Sequence, residues 1–131
     1  MKTRLCAGFA LLAVLAGCGE SRDERAAHDA VMRFYEGLKR HDPETVCALL
    51  SPAVAKQVAR DGTCVGSMRQ FFERVARSAD PGYFDKLPDV RAAIVKDGTA
   101  TVVVRRGPQR RRVSLKRVGD SWRISGSPDF Q

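Results

Sequence analysis

Apolar positions recur along this chain with two different periods, and the change of period divides it. Ala27, Ala30, Val31, Phe34, Tyr35 and Leu38 follow one another at helical spacing, which places them on a single stripe. Ser21-Arg22-Asp23-Glu24 has capping-box form, so the spacing predicts a helix from Ser21 to about Arg40. Asp42-Pro43 and Ser51-Pro52 each read as an N-cap followed by proline at the first helical position. They open short helices through Val46, Cys47, Leu49 and Leu50, and through Val54 and Val58, the latter stopping near Asp61-Gly62. A fourth helix is expected from about Val65 to Ser78, with Met68, Phe71, Phe72 and Val75 on its apolar side. Asp80-Pro81-Gly82 then breaks the pattern, and the stretch to Pro88 reads as a loop.

Beyond Pro88 the period becomes two. Val90, Ala92 and Ile94 alternate with Arg91, Ala93 and Val95, and Ala100, Val102 and Val104 follow across Asp97-Gly98, a strong hairpin turn. Gly107-Pro108 and Gly119-Asp120 supply two further turns, with Val113 and Leu115 on the third strand and Trp122 and Ile124 on the fourth. The expected class is α+β: N-terminal helices packed on a four-stranded antiparallel meander, apolar on one face. The residues expected to face inward are Val90, Ala92, Ile94, Ala100, Val102, Val104, Val113, Leu115, Trp122 and Ile124.

The first residues follow neither period. Lys2 and Arg4 precede an apolar run from Leu5 to Ala16, too short to span a bilayer and of the length of a signal core. Its ending, Leu15-Ala16-Gly17-Cys18, resembles the lipobox of bacterial lipoproteins. That resemblance implies cleavage before Cys18, a diacylglyceryl thioether on its sulfur, and an anchor on the extracytoplasmic face of the cell membrane. Cys6 would leave with residues 1–17. Residues 18–25 form a short tether, and residues 26–131 the domain.

Charge changes accordingly. Without Lys2 and Arg4, the 23 basic residues become 21 against 15 acidic ones, so the processed chain of 114 residues carries +6. An exported basic domain meets anionic lipid or cell-wall polymer, or an envelope protein, rather than nucleic acid. Three cysteines remain after processing. With Cys18 lipidated, Cys47 and Cys64 form an even pair in an oxidising compartment, where a disulfide adds roughly 3 kcal/mol. Two buried free thiols are the alternative reading. No metal-ligand spacing joins these cysteines to His28 and His41, and no cofactor is expected.

Phe34-Tyr35, the segment GLKRHDPETVCALLSP and the ending VSLKRVGDSWRISG resemble the nuclear transport factor 2-like superfamily of α+β cones, and in particular actinobacterial lipoproteins. The resemblance covers Ala26 to Ser125, its most telling motif being Gly119, Asp120, Trp122 and Ile124. It implies paired cysteines at Cys47 and Cys64. Such cones host enzymes, ligand binders and interaction modules alike, so the fold decides no activity.

An enzyme on this cone needs an acid or base inside it. Tyr35 is on the apolar stripe and reads as a core tyrosine; His41, beside Asp42, reads as solvated or capping; His28 falls off the stripe and reads as exposed; Asp85 and Asp89 read as surface or turn residues. None of the inward strand positions can titrate, so a non-catalytic binding or accessory domain is expected. Phe34, Tyr35, Phe71 and Trp122 are candidates for an apolar pocket, with a filled core as the alternative. Arg105, Arg106, Arg110, Arg111 and Arg112 bracket the Gly107-Pro108 turn, with Lys116 and Arg117 beyond, and are candidates for contact with an anionic surface. A solvated strand edge is the plain reading of the same arginines.

Overall fold

The computed structural model describes residues 21–60 and 62–126. The signal-like segment, Cys18 and the last five residues lie outside the described residues. Four helices precede four strands: α1 (Arg22–Lys39), α2 (Pro43–Ala48), α3 (Pro52–Ala59), α4 (Cys64–Ala76), β1 (Asp89–Lys96), β2 (Thr99–Arg106), β3 (Gln109–Val118) and β4 (Ser121–Gly126). The chain is α+β as expected.

Each helix starts where a short polar side chain satisfies an orphan amide. Ser21 Oγ accepts from the Glu24 amide at 3.1 Å, Asp42 Oδ1 from Thr45 at 3.2 Å, Ser51 Oγ from Val54 at 3.3 Å, and Thr63 Oγ1 from Gly66 at 3.0 Å. α1 begins at Arg22, so residues 22–25 of the expected tether are helical. A disulfide joins Cys47 in α2 to Cys64, the first residue of α4, with the Cα atoms 6.0 Å apart. The free-thiol alternative is therefore excluded.

The strands form one antiparallel sheet in the order β1-β2-β3-β4. Asp97 and Gly98 both take positive φ, 53° and 75°, the conformation a two-residue hairpin turn requires. One edge of the sheet is covered: the Ser51 amide donates to the Ile124 carbonyl and the Ile124 amide to the Leu49 carbonyl, each at 2.8 Å. The segment joining α2 to α3 thus occupies the open side of β4, where an unpaired strand would invite other chains.

The core lies between helices and sheet. Ala27, Ala30, Val31, Phe34, Tyr35 and Leu38 of α1 are all buried, as are Ala100, Val102, Val104, Val113, Leu115, Trp122 and Ile124 of β2 to β4. β1 departs from the expected alternation. Its register with β2 shifts between Val90 and Ala93, so Ala93 is buried, Ala92 is exposed, and Ile94 turns outward at 71% exposure. The bulge inserts one extra residue and reverses the phase of every later side chain on the strand. Ala92 and Ile94 are not inward-facing residues; Val90, Ala93 and Val95 hold that side.

Candidate functional site

The residues considered for acid–base chemistry are placed on separate parts of the fold. Tyr35 is buried, edge-on to Phe34 with ring centroids 5.2 Å apart. His41 occupies the turn after α1 with φ 53°, and its ring stacks on Phe72 at 4.9 Å. Beside it, Asp42 accepts hydrogen bonds from the Thr45 hydroxyl at 2.7 Å and the Thr45 amide, which hold its carboxyl below the usual 3.8. That shift belongs to a helix cap. His28, expected to be exposed, is half-buried: its Nε2 donates to the Val90 carbonyl at 3.3 Å, tying α1 to the bulged strand. Asp85 and Asp89 are exposed, and Asp89 pairs with Arg91 at 3.2 Å.

Three of the four aromatic candidates are core residues, and the fourth is partly buried against them. Phe34, Tyr35 and Trp122 are each at most 5% exposed within one apolar cluster, and Phe71 packs against it from α4, 5.8 Å from Phe84. Phe84 was not legible as a core residue in the irregular stretch before β1, yet it is 4% exposed. Phe71 also lines a surface groove of about 200 Å³ with Val58, Met68, Gln57, Gln70 and Arg74. The inner mouth of the sheet, lined by Tyr83, Val104, Arg106, Gln109 and Arg111, has space of about 10 Å³, near what a single water needs.

The five arginines do not form one cluster, because strand alternation sorts them. Arg106 turns inward at the end of β2. Its guanidinium donates to the carbonyls of Tyr83 at 3.2 Å and Lys86 at 2.8 Å, and lies 4.8 Å from the Tyr83 ring centroid and 6.0 Å from that of Tyr35. It closes the mouth of the sheet. Arg111 opposes Val104 in register and shares its inner side. Arg105, Arg110 and Arg112 are exposed on the opposite face, since Arg105 opposes Arg110 and Arg112 opposes Val103.

That outer face holds further cations. Lys116 opposes Thr99 on one side and Arg123 on the other, and Thr99 opposes Lys96. Directly opposed residues share a face, so Lys96, Arg105, Arg110, Arg112, Lys116 and Arg123 run the length of the sheet on one side. The acidic residue opposing Arg105 is Asp89, already engaged by Arg91. By contrast α1 carries four basic and four acidic residues, so its exposed side is close to neutral. Arg117 belongs to neither group: it lies 5.2 Å from the Trp122 ring centroid and forms an ion pair with Asp23.

Among the described residues no group of three or more His, Cys, Asp or Glu is arranged to hold a metal ion. Nor is any helix among them long and apolar enough to cross a membrane. Comparison of the chain with protein-family models, with curated proteins and with solved structures gives no match.

Proposed function

We propose that this chain is a lipid-anchored protein of the bacterial cell envelope whose domain, a nuclear transport factor 2-like cone, acts by binding and not by catalysis. The observation that carries this reading is the contrast between a filled apolar interior and a charged exterior. The side chains that would line a ligand chamber in such a cone are packed against one another, and Arg106 closes the mouth. Chemistry inside the cone would need an acid–base pair there, and the buried positions are Ala, Val, Leu, Ile, Met, Phe, Tyr and Trp with the capping Ser51, while Arg106 at the mouth is engaged by backbone carbonyls.

Helices first, a single antiparallel meander and bulges on β1 and at Ser114 that bend the sheet support the cone assignment. The anchor rests on Lys2, Arg4, the apolar run and the small residues before Cys18. The Cys47–Cys64 disulfide suits an exported protein. A lipid chain combined with basic side chains gives the two signals that stable membrane attachment takes.

A carrier of apolar molecules is the competing use of the same fold. Mass spectrometry of the protein purified from its host under non-denaturing conditions separates the two. The binding-domain reading predicts the chain with its own acyl groups and nothing else. A further apolar compound, retained in the folded protein and released on unfolding, contradicts it.

A further inference from the structure

The outer face of the sheet has a definite relation to the site of anchoring. Arg117, near the end of β3, donates its amide to the Gly98 carbonyl and pairs with Asp23 in the first turn of α1. The start of α1 therefore lies at the end of the sheet that carries the Asp97-Gly98 and Gly119-Asp120 turns. The Gly107-Pro108 turn is at the other end, about 26 Å away along the eight residues of β2. Cys18 is three residues before Ser21, a span of at most about 11 Å. An anchor at Cys18 holds the first end of the sheet near the bilayer. The Gly107-Pro108 tip cannot reach the same bilayer on its own. It comes down only if the sheet lies down, and the sheet then brings Lys96, Lys116 and Arg123 with it.

We propose that the outer sheet face is the contact surface for the anionic bilayer in which the chain is anchored, with the domain lying sheet-down and Ile94 entering the headgroup layer. This deepens the reading above and rests on its lipid anchor. Six cations on one face match a phosphate-rich surface, whereas the balanced charge of α1 does not. Ile94 identifies the partner further. It lies on the edge strand β1, opposite Thr101 on this face, and is 71% exposed, against 38% for Tyr83 and 36% for Leu87. A bilayer offers an apolar layer beneath its phosphates for such a side chain; a wall polyanion offers charge alone.

The test uses the full chain reconstituted into vesicles of phosphatidylcholine, or of phosphatidylcholine and phosphatidylglycerol in equal amounts. Ile94→Cys carries an environment-sensitive fluorophore, and Arg33→Cys on α1 is the comparison position. A blue shift at position 94 on acidic vesicles, little on neutral ones and none at position 33 is expected. Lys96→Gln, Arg112→Gln and Lys116→Gln together should lower the bound-to-unbound ratio of the face by about 100-fold. The charge-matched set Arg25→Gln, Arg33→Gln and Lys39→Gln, made with the label at position 94, should leave it unchanged.

Absence of the shift on acidic vesicles, equal shifts on both vesicles, or equal effects of the two triple variants overturns the proposal. So does a shift produced by soluble wall polymer on neutral vesicles with none from acidic lipid. The intact mass of the same preparation reports separately on the anchor. A lipidated chain without the shift refutes the face alone, and an unlipidated chain that retains the shift refutes the anchor alone.

Discussion

The two faces of the sheet are built from the same strands by the same alternation, yet they carry opposite kinds of side chain. On the inner face Ala100, Val102, Val104, Val113, Leu115, Trp122 and Ile124 are buried against α1 and its neighbours. On the outer face the intervening positions are mostly Thr, Ser, Lys and Arg, with Asp89 as an acid and Ala92, Ile94, Val103 and Val118 among the apolar exceptions. Val102 and Val103 are neighbours in sequence and differ only in which way the pleat turns them. If the outer face makes the proposed contact, stability and contact lie on two surfaces of one layer, and each can be altered without the other.

The sharpest way to break that comparison is to place the same charge on both sides. Val102→Lys puts an unpaired cation in the core and should cost upwards of 3 kcal/mol, or prevent folding. Val103→Lys should change stability by no more than about 0.5 kcal/mol. Urea unfolding of the two variants reads both numbers, and similar losses would show that the faces are not distinct.

Next in size is the disulfide. It lies in the helical layer and closes a loop of 17 residues, so Cys47→Ala with Cys64→Ala should lose about 3 kcal/mol in the same measurement. The vesicle response of the outer face should survive in whatever fraction stays folded. Arg106→Ala follows, at about 1–2 kcal/mol, because two hydrogen bonds and the contact with Tyr83 are lost from a single side chain. Its effect on vesicle binding should be nil, which separates it from Arg105, Arg110 and Arg112.

The smallest effect is the acid response of the α2 cap. Asp42 is held below 3.8 by Thr45, so its folded value lies under its unfolded one. Its stabilisation is complete at neutral pH and fades as the pH falls below 3.8 through the lowered value. Asp42→Asn should remove that part of the acid sensitivity, seen as a flatter loss of stability with pH, while leaving neutral-pH vesicle binding unaltered.

Much of this arrangement could be read along the chain, and the exceptions have physical causes. Three helices were legible from a capping residue, two of them followed by proline, and the fourth from the spacing of Met68, Phe71, Phe72 and Val75, while its Thr63 cap was not read. β2, β3 and β4 were legible because their apolar residues alternate without interruption. β1 was not, since a bulge between Val90 and Ala93 slips the phase by one and nothing in Val-Arg-Ala-Ala-Ile marks where the extra residue enters. Phe84 was missed because its burial comes from Phe71 and Tyr83 around it, with no periodic pattern of its own. The arginine run misled in a different way. Five arginines in eight positions look like one patch, but charged side chains on a strand obey the same period of two as apolar ones. Applying that period sends Arg106 and Arg111 inward and joins the other three to Lys96, Lys116 and Arg123, which are dispersed in the sequence.

The proposed use of the outer face depends on where the domain is held, and the proposed holding point is the sulfur of Cys18. Intact mass of the protein purified from bacterial membranes, with metabolic labelling by a clickable palmitate, measures this directly. The account predicts a labelled chain that starts at Cys18 and carries a diacylglyceryl group. A chain that still bears residues 1–17, or one that starts at Cys18 without label, would contradict it.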